Sequence, residues 1–292
     1  MRTTEVTTDY GRTGRLADPA ATGAYLFAEH TIEAGRATPF GSHTRDHRTF
    51  VVIAGRVRRE TPNGDEPART YGYLDGWHAL PGCVHRIVNA GTEPAVVIEA
   101  GSVLGETTEA AGAELRAETA GAAPQAEAAG AAPQAEAAGA GLRAAACRCP
   151  DVSDYTVHKP WGSEVWYTRN LPAVPYALKR IRMTEGHQSS LQSHRQKLET
   201  NYVIEGEATV LSGATAPDDL DAVIDMARLT TTVHRPRSGW TNPPNDLHRV
   251  IARTDYTSIE ISTPELDDVI RWQDDAGRGH GRIESEHAGG RS

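Results

Sequence analysis

The chain writes one pattern twice. "TFVVIAGRVRRE" is followed by "GWHALPGCVHRIVNAGTEPAVVIEAGSVLG", and "TNYVIEGEATVLSG" is followed by "GWTNPPNDLHRVIARTDYTSIEIS". Each copy has a β-rich run broken by Gly, then Gly-Trp, a Pro-containing turn, His-Arg and another β-rich run. Five features in one order imply an internal duplication. Short strands punctuated by turn residues predict an all-β sandwich or barrel for each copy. Between them, "GAAPQAEAA" occurs at 121–129 and again at 130–138. This stretch has no large apolar residue with which to offset the entropy of ordering it. The expected organisation is a first domain over 15–104, a flexible linker over 105–150 and a second domain over 151–280.

Bulk properties remove several classes of function. The 292 residues include 30 basic and 39 acidic ones, a formal charge of −9. No Lys/Arg block suited to a phosphate backbone is present, and aromatic content is 6%, so nucleic acid is not expected as a partner. No apolar run approaches the roughly 20 residues of a membrane span, and "MRTTEVTTDYGRTGRLADP" has no apolar core of the secretory kind. Three cysteines, Cys83, Cys147 and Cys149, form no framework spacing and fit a reducing, cytoplasmic setting. The C-x-C pair reads as two incidental thiols, since a structural zinc site needs four ligands.

The stretch "GHQSSLQSHRQKLETNYVIEG" (186–206) concentrates polar chemistry inside a β-rich run. Ser190, Gln192 and His194 alternate, so on a strand they share a face. "RQKL" is expected to turn, and Glu199 to begin a return strand that brings it back beside His194. "NPPNDLHRV" predicts a stiff turn followed by His248 at a strand start. Inward residues of neighbouring strands converge in a small barrel. Gln192, His194, Glu199 and His248 are therefore the candidate ligands of one divalent ion. Mixed N/O donors suit Zn, Mn, Fe, Co or Ni.

The spacing Gly186, five residues, Gln192, one residue, His194, four residues, Glu199, six residues, Gly206 resembles the first motif of the cupin superfamily, with Gln in place of the usual first His. "PPNDLHRV" resembles the second motif, carrying His248. "HKPWGSEVWYT" (158–168), "YALKRIRMTEGHQSSLQSH" (176–194) and "ELDDVIRWQDDAGR" (265–278) resemble the type II mannose-6-phosphate isomerase cupin, also found as the C-terminal part of bifunctional mannose-1-phosphate guanylyltransferases. That family's His-rich run reads "RQKL" here. The resemblance implies two cupin (jelly-roll, double-stranded β-helix) barrels. In the first copy the motif becomes Gly35, Gly41, His43, Arg48, Gly55, with His85 in the second motif. Gly41 offers no side-chain ligand, and Arg48 is a cation where the anionic ligand belongs. The first barrel is expected to be non-catalytic, with His43, His47 and His85 as an alternative three-imidazole site.

The implied activity is metal-dependent aldose–ketose isomerisation of a phosphorylated sugar, in carbohydrate metabolism. A base must move a proton between adjacent carbons; His187, Lys179 and Glu260 are the candidates. Arg180 and Arg249 are candidates for the substrate phosphate. Two other readings stay open on the same scaffold: a metal-dependent oxygenase or isomerase of another small molecule, and a bicupin that binds a sugar phosphate without turnover. The resemblance also implies barrels packed as a pseudo-dimer, and exposed sheet edges favour a homodimer.

Overall fold

A computed structural model describes residues 4–17, 23–42, 46–62, 66–102, 149–171, 176–279 and 281–282. The expected linker therefore lies almost wholly outside the described residues, as does His43. The first half contains β1 (Thr4–Thr8), β2 (Gly11–Ala17), β3 (Tyr25–Ile32), β4 (Gly41–Ser42), β5 (Arg48–Ala54), β6 (Val57–Glu60), β7 (Arg69–Tyr71), β8 (Gly76–Ala79), β9 (Val84–Val88) and β10 (Ala95–Ser102). The second contains β11 (Tyr155–Lys159), β12 (Gly162–Trp166), β13 (Ala177–Met183), β14 (Leu191–Ser193), β15 (Glu199–Glu205), β16 (Ala208–Thr215), β17 (Thr230–His234), β18 (Gly239–Asn242), β19 (Asp246–Ala252), β20 (Tyr256–Ser262), β21 (Ile270–Gln273) and β22 (Gly281–Arg282). No helix among the described residues is long and apolar enough to cross a membrane.

The duplication is visible in the strand order. The larger sheet of the first half runs β1-β2-β3-β10-β5-β8, and that of the second runs β11-β12-β13-β20-β15-β18. Each label shifts by ten. The smaller sheets are β4-β9-β6-β7 and β17-β16-β19-β14, the latter extended by β21 and β22. All these pairings are antiparallel, and the two sheets of each half face each other as a barrel. Register is kept too: Gly41 lies opposite His85 on β4 and β9, and Gln192 opposite His248 on β14 and β19.

The unbroken apolar run in "TFVVIA" follows from burial on both faces. Val51 joins the core between the barrels, whereas Phe50 and Val52 point into the first barrel. In the second copy Tyr202 lies between the barrels and Val203 inside. The shared core joins Phe27, Val51 and Ile98 to Leu178, Tyr202 and Ile259, so the two large sheets pack against each other. Polar side chains cross this core in partnered form, as burial requires. Tyr202 Oη donates to Glu29 Oε2 at 2.6 Å, and Tyr25 Oη meets Thr200 Oγ1 at 2.9 Å. Residues 149–152 run along β8 before the chain crosses to the second barrel, with His78 N donating to Pro150 O at 2.8 Å.

Two expectations are corrected here. The segment 186–206 is not a hairpin: β14 pairs with β19 and β21, while β15 pairs with β20 and β18. Residues 194–198 switch sheets, so His194 and Glu199 approach each other from opposite walls. The cysteines are not all free thiols either. Cys83 is disulfide-bonded, and Cys149 is a buried thiol in the same core cluster. The chain returning along β8 carries Cys149 into that core, a proximity that sequence separation conceals.

Candidate metal centre

The sheet switch after β14 places His194, the first residue of β15 supplies Glu199, and β19 supplies His248. One donor atom from each lies within 4.8 Å of the others, all three side chains are buried, and this is the one such His/Cys/Asp/Glu group found among the described residues. His194 Nδ1 lies 2.5 Å from Asp268 O, and His248 Nδ1 lies 3.1 Å from Asp246 O. A carbonyl accepts only from N–H, so both rings carry their proton on Nδ1. Their Nε2 lone pairs face the carboxylate: His194 Nε2 is 3.4 Å from Glu199 Oε2, and His248 Nε2 is 3.3 Å from Oε1. His194 Nε2 is a buried atom without a hydrogen-bond partner. Lone pairs converging with no proton between them repel unless a cation sits there. The donor set, two imidazoles and a carboxylate with their outer atoms anchored, fits a divalent metal. Asn242 Nδ2 donates to Glu199 Oε1 at 2.8 Å and fixes the carboxylate plane. Gln192 reaches the centre with its amide nitrogen 3.1 Å from His248 Nε2. Ligation through its oxygen takes a half-turn of the amide.

The centre opens into a cavity whose walls include Trp161, Ile181, Met183 and Tyr256. Buried ionisable groups line its floor. Lys197 Nζ lies 2.5 Å from Glu199 Oε2 and 3.2 Å from Glu260 Oε1. Lys179 Nζ lies 3.2 Å from that same Glu260 oxygen and 3.4 Å from Glu164 Oε1. Burial opposes the Glu199 charge, but the Lys197 ammonium outweighs it and holds the carboxyl well below its usual range. Burial pushes the Glu260 carboxyl up, and the Glu199 charge adds to that. Burial, then Lys197, lowers the His194 imidazole, which keeps it neutral and able to ligate. For Lys179 burial favours the neutral amine, yet Glu164, Glu260 and Glu199 prevail and raise its pKa.

Not every expected residue lines the cavity. His187 is exposed at a turn, its Nδ1 3.1 Å from Glu185 O, and lies outside the cavity. Lys179 lines the cavity, where the neighbouring Glu164, Glu260 and Glu199 favour its protonated form. Arg180 follows Lys179 on β13 and so projects from the other face, where it bonds to Tyr167. Arg249 follows His248 on β19 and turns outward to Gln273 O at 3.0 Å. Strand alternation, which turns His248 toward the cavity, turns both arginines to the opposite faces of their strands. Glu260 remains. In the first barrel His85 stands edge-on to Phe50, with ring centroids 5.1 Å apart, and also to Trp77. Phe50 stacks on Trp77 at 5.1 Å, and these rings occupy the interior. His47 is half-buried, and burial lowers its pKa. His43, the third member of that candidate site, lies outside the described residues.

The residues not foreseen are Lys197, Asn242, Glu164 and Asp268. Lys197 stands two residues before Glu199 but in the crossing segment 194–198, where strand alternation assigns no face. Asp268 acts from 74 residues away through its backbone carbonyl, which no side-chain pattern announces.

No family model matches the chain, and no curated protein does. Solved structures do. Procruciferin, the 11S globulin of Brassica napus, superposes with a TM-score of 0.61 at 13% identity, over 92% of this chain and 85% of that one. The Lactobacillus farciminis oxalate decarboxylase formate complex gives 0.59 at 11%, over 92% and 86%. The 11S globulin from Wrightia tinctoria gives 0.62 at 11%, over 92% and 83%. At such identities the likeness is one of fold: two cupin barrels in a single chain.

Proposed function

We propose that the second barrel is a metal-dependent enzyme site that shifts a proton on a small hydroxy-carbonyl compound, an aldose–ketose isomerase whose substrate is a phosphorylated sugar. The observation that carries this is the pairing of two chemistries in one cavity: three converging ligands, and a buried carboxyl, Glu260, whose proton affinity burial has raised. His194, Glu199 and His248 hold the ion, with Gln192 beside them. A divalent ion there supplies Lewis-acid polarisation of the substrate carbonyl. Glu260 takes the proton from the neighbouring carbon and returns it to the other carbon. A base with a raised pKa is suited to both directions of that transfer. Lys179 and Lys197 grip the same Glu260 oxygen and orient it. The apolar walls exclude water from the charged intermediate. Lys159 and Arg278 also line the cavity, the latter bridged to Asp274 at 2.6 Å, and on this reading they attract the phosphate rather than Arg180 or Arg249. Among similar structures, one study concerns the Mn(II) centres of Bacillus subtilis oxalate decarboxylase, and manganese is among the metals this donor set suits.

The test is metal content per chain, wild type beside His248→Ala, followed by incorporation of solvent deuterium into phosphosugars by metal-loaded protein. One ion per chain, lost in the variant, with deuterium entering one phosphosugar, supports the proposal. Two histidines and one carboxylate also suit an iron-dependent oxygenase; oxygen uptake without deuterium incorporation would establish that reading instead. Absence of bound metal after loading with Mn, Fe, Co, Ni and Zn would overturn both.

A further inference from the structure

The cavity floor is a chain of charges of alternating sign: Glu199, Lys197, Glu260, Lys179, Glu164. Every link is 3.4 Å or shorter, and each side chain is at most 10% exposed. Three carboxylates and two ammonium groups sum to −1. A divalent ion on His194, Glu199 and His248 turns that sum to +1. In a poorly solvated cavity uncompensated charge acts strongly; the walls include the apolar Trp161, Ile181, Met183, Val250 and Tyr256, and the cations Lys159 and Arg278 add to the positive side. The loaded floor therefore favours a negatively charged ligand.

The position of Lys197 says where that charge goes. An ammonium has three N–H donors. Lys197 uses one on Glu199 and one on Glu260, and its side chain lines the cavity. The third donor is left beside the Glu199 carboxylate, next to Glu260. Resting on the proton-shift reading given above, we propose that Lys197 is a catalytic residue whose free N–H receives the substrate oxygen on which negative charge develops.

The step balances within the substrate and Glu260. Glu260 removes the proton from the carbon beside the carbonyl. The C–H electron pair becomes the C=C bond, and the carbonyl π pair moves onto oxygen, forming an enediolate. The proton of the adjacent hydroxyl passes to that oxygen, Glu260 returns its proton to the former carbonyl carbon, and a new C=O forms next to it. Lys197 gives up no proton in the cycle. Its hydrogen bond is neutral-to-charged in the ground state and becomes charge-to-charge in the enediolate, so it strengthens as the reaction proceeds.

Glycolate and glycolamide test this without relying on turnover. Glycolate has the planar anionic oxygen and hydroxyl of an enediolate, and glycolamide is its neutral counterpart. Binding of both to metal-loaded protein is measured by calorimetry for wild type, Lys197→Met and Lys197→Arg, with metal content and thermal unfolding recorded for each. Wild type is expected to prefer glycolate by at least tenfold. Lys197→Met is expected to lose that preference while retaining metal, and Lys197→Arg to keep part of it. A purely structural lysine would weaken both ligands together and leave the ratio intact, a result that would overturn the proposal. If Lys197→Met does not fold, the wild-type complex with glycolate decides by crystallography: a carboxylate oxygen within about 3 Å of Lys197 Nζ supports the proposal, and one seated at Lys159 or Arg278 refutes it. Metal-independent or absent binding of both ligands to wild type would bring down the proton-shift reading itself, and this inference with it.

Discussion

Stability against acid should report the seam between the barrels through His78. This side chain is fully buried, with Nδ1 3.0 Å from Thr49 Oγ1 and Nε2 3.1 Å from Asn170 Oδ1. Thr49 Oγ1 continues to Tyr176 Oη at 2.8 Å, so the chain of hydrogen bonds joins the first barrel to the second. Burial pushes the imidazole pKa down to about 4, against contributions from Asn170 and Tyr167 that raise it. In the unfolded chain it sits near 6.5. Between those values the unfolded state binds more protons, so stability rises with pH across the window. The stabilisation is fully present above about pH 6.5 and is lost as pH falls toward 4. At about 1.36 kcal/mol for each tenfold difference in proton affinity, the whole window amounts to about 3 kcal/mol. The assay is urea unfolding at pH 7.5 and pH 4.5, wild type beside His78→Gln. The variant lacks this titration, so its stability should fall less on acidification, by an amount approaching that figure. Other buried groups titrate in both proteins and cancel. Equal pH dependence in the two proteins would refute the reasoning.

Two further outcomes are expected. Gly186 and Gly206 bracket the first motif at φ +75° and +71°, so alanine strains both backbones alike, by about 1–2 kcal/mol. A Cβ at Gly186 meets nothing within 4 Å, whereas at Gly206 it would lie 2.0 Å from Asp255 O, so Gly206→Ala should unfold at clearly lower denaturant than Gly186→Ala; coincident midpoints would refute the steric argument. Arg180→Ala should leave metal content unchanged and activity within about twofold, because its side chain is on the far face of β13 from Lys179; a steep loss of kcat with metal retained would place Arg180 back in the site.

Much of the architecture was legible because the chain repeats itself. A single copy of "GWHALPGCVHRIV" is a weak signal, but two copies in one order constrain the topology, and the strand orders differ by a constant ten. The grouping of His194, Glu199 and His248 was legible because residue type and spacing set them close to inward-facing positions of β14, β15 and β19. Cavity membership beyond the ligands was less so. Alternation rules applied within β13 would have separated Lys179 from Arg180, and within β19 His248 from Arg249. His187 was misplaced because turn residues have no fixed face. The sheet switch at 194–198 was hidden, since a turn into a hairpin and a crossing between sheets use the same polar residues.

The difference between the two barrels comes down to how each satisfies a buried glutamate. Glu260 on β20 and Glu99 on β10 occupy corresponding places in the repeated sheets: Glu260 lies opposite Asn201, and Glu99 opposite Phe50. Both need cations, because an unpaired buried carboxylate is costly. The second barrel supplies them from Lys179 and Lys197, which leaves position 199 free to be acidic and to complete a ligand set. The first barrel supplies Arg48 from the position of Glu199 itself, with Nε 3.4 Å from Glu99 Oε1, while His30 Nε2 hydrogen-bonds Oε2 at 2.7 Å. The guanidinium therefore stands where the anionic ligand would stand, and Phe50 and Trp77 fill space beside it. Restoring a carboxylate at 48 would leave Glu99 with one cation fewer and the rings still in place. A single reversal of charge is thus not enough to convert the packed barrel into a binding one, and the two halves have settled into different solutions of one electrostatic problem.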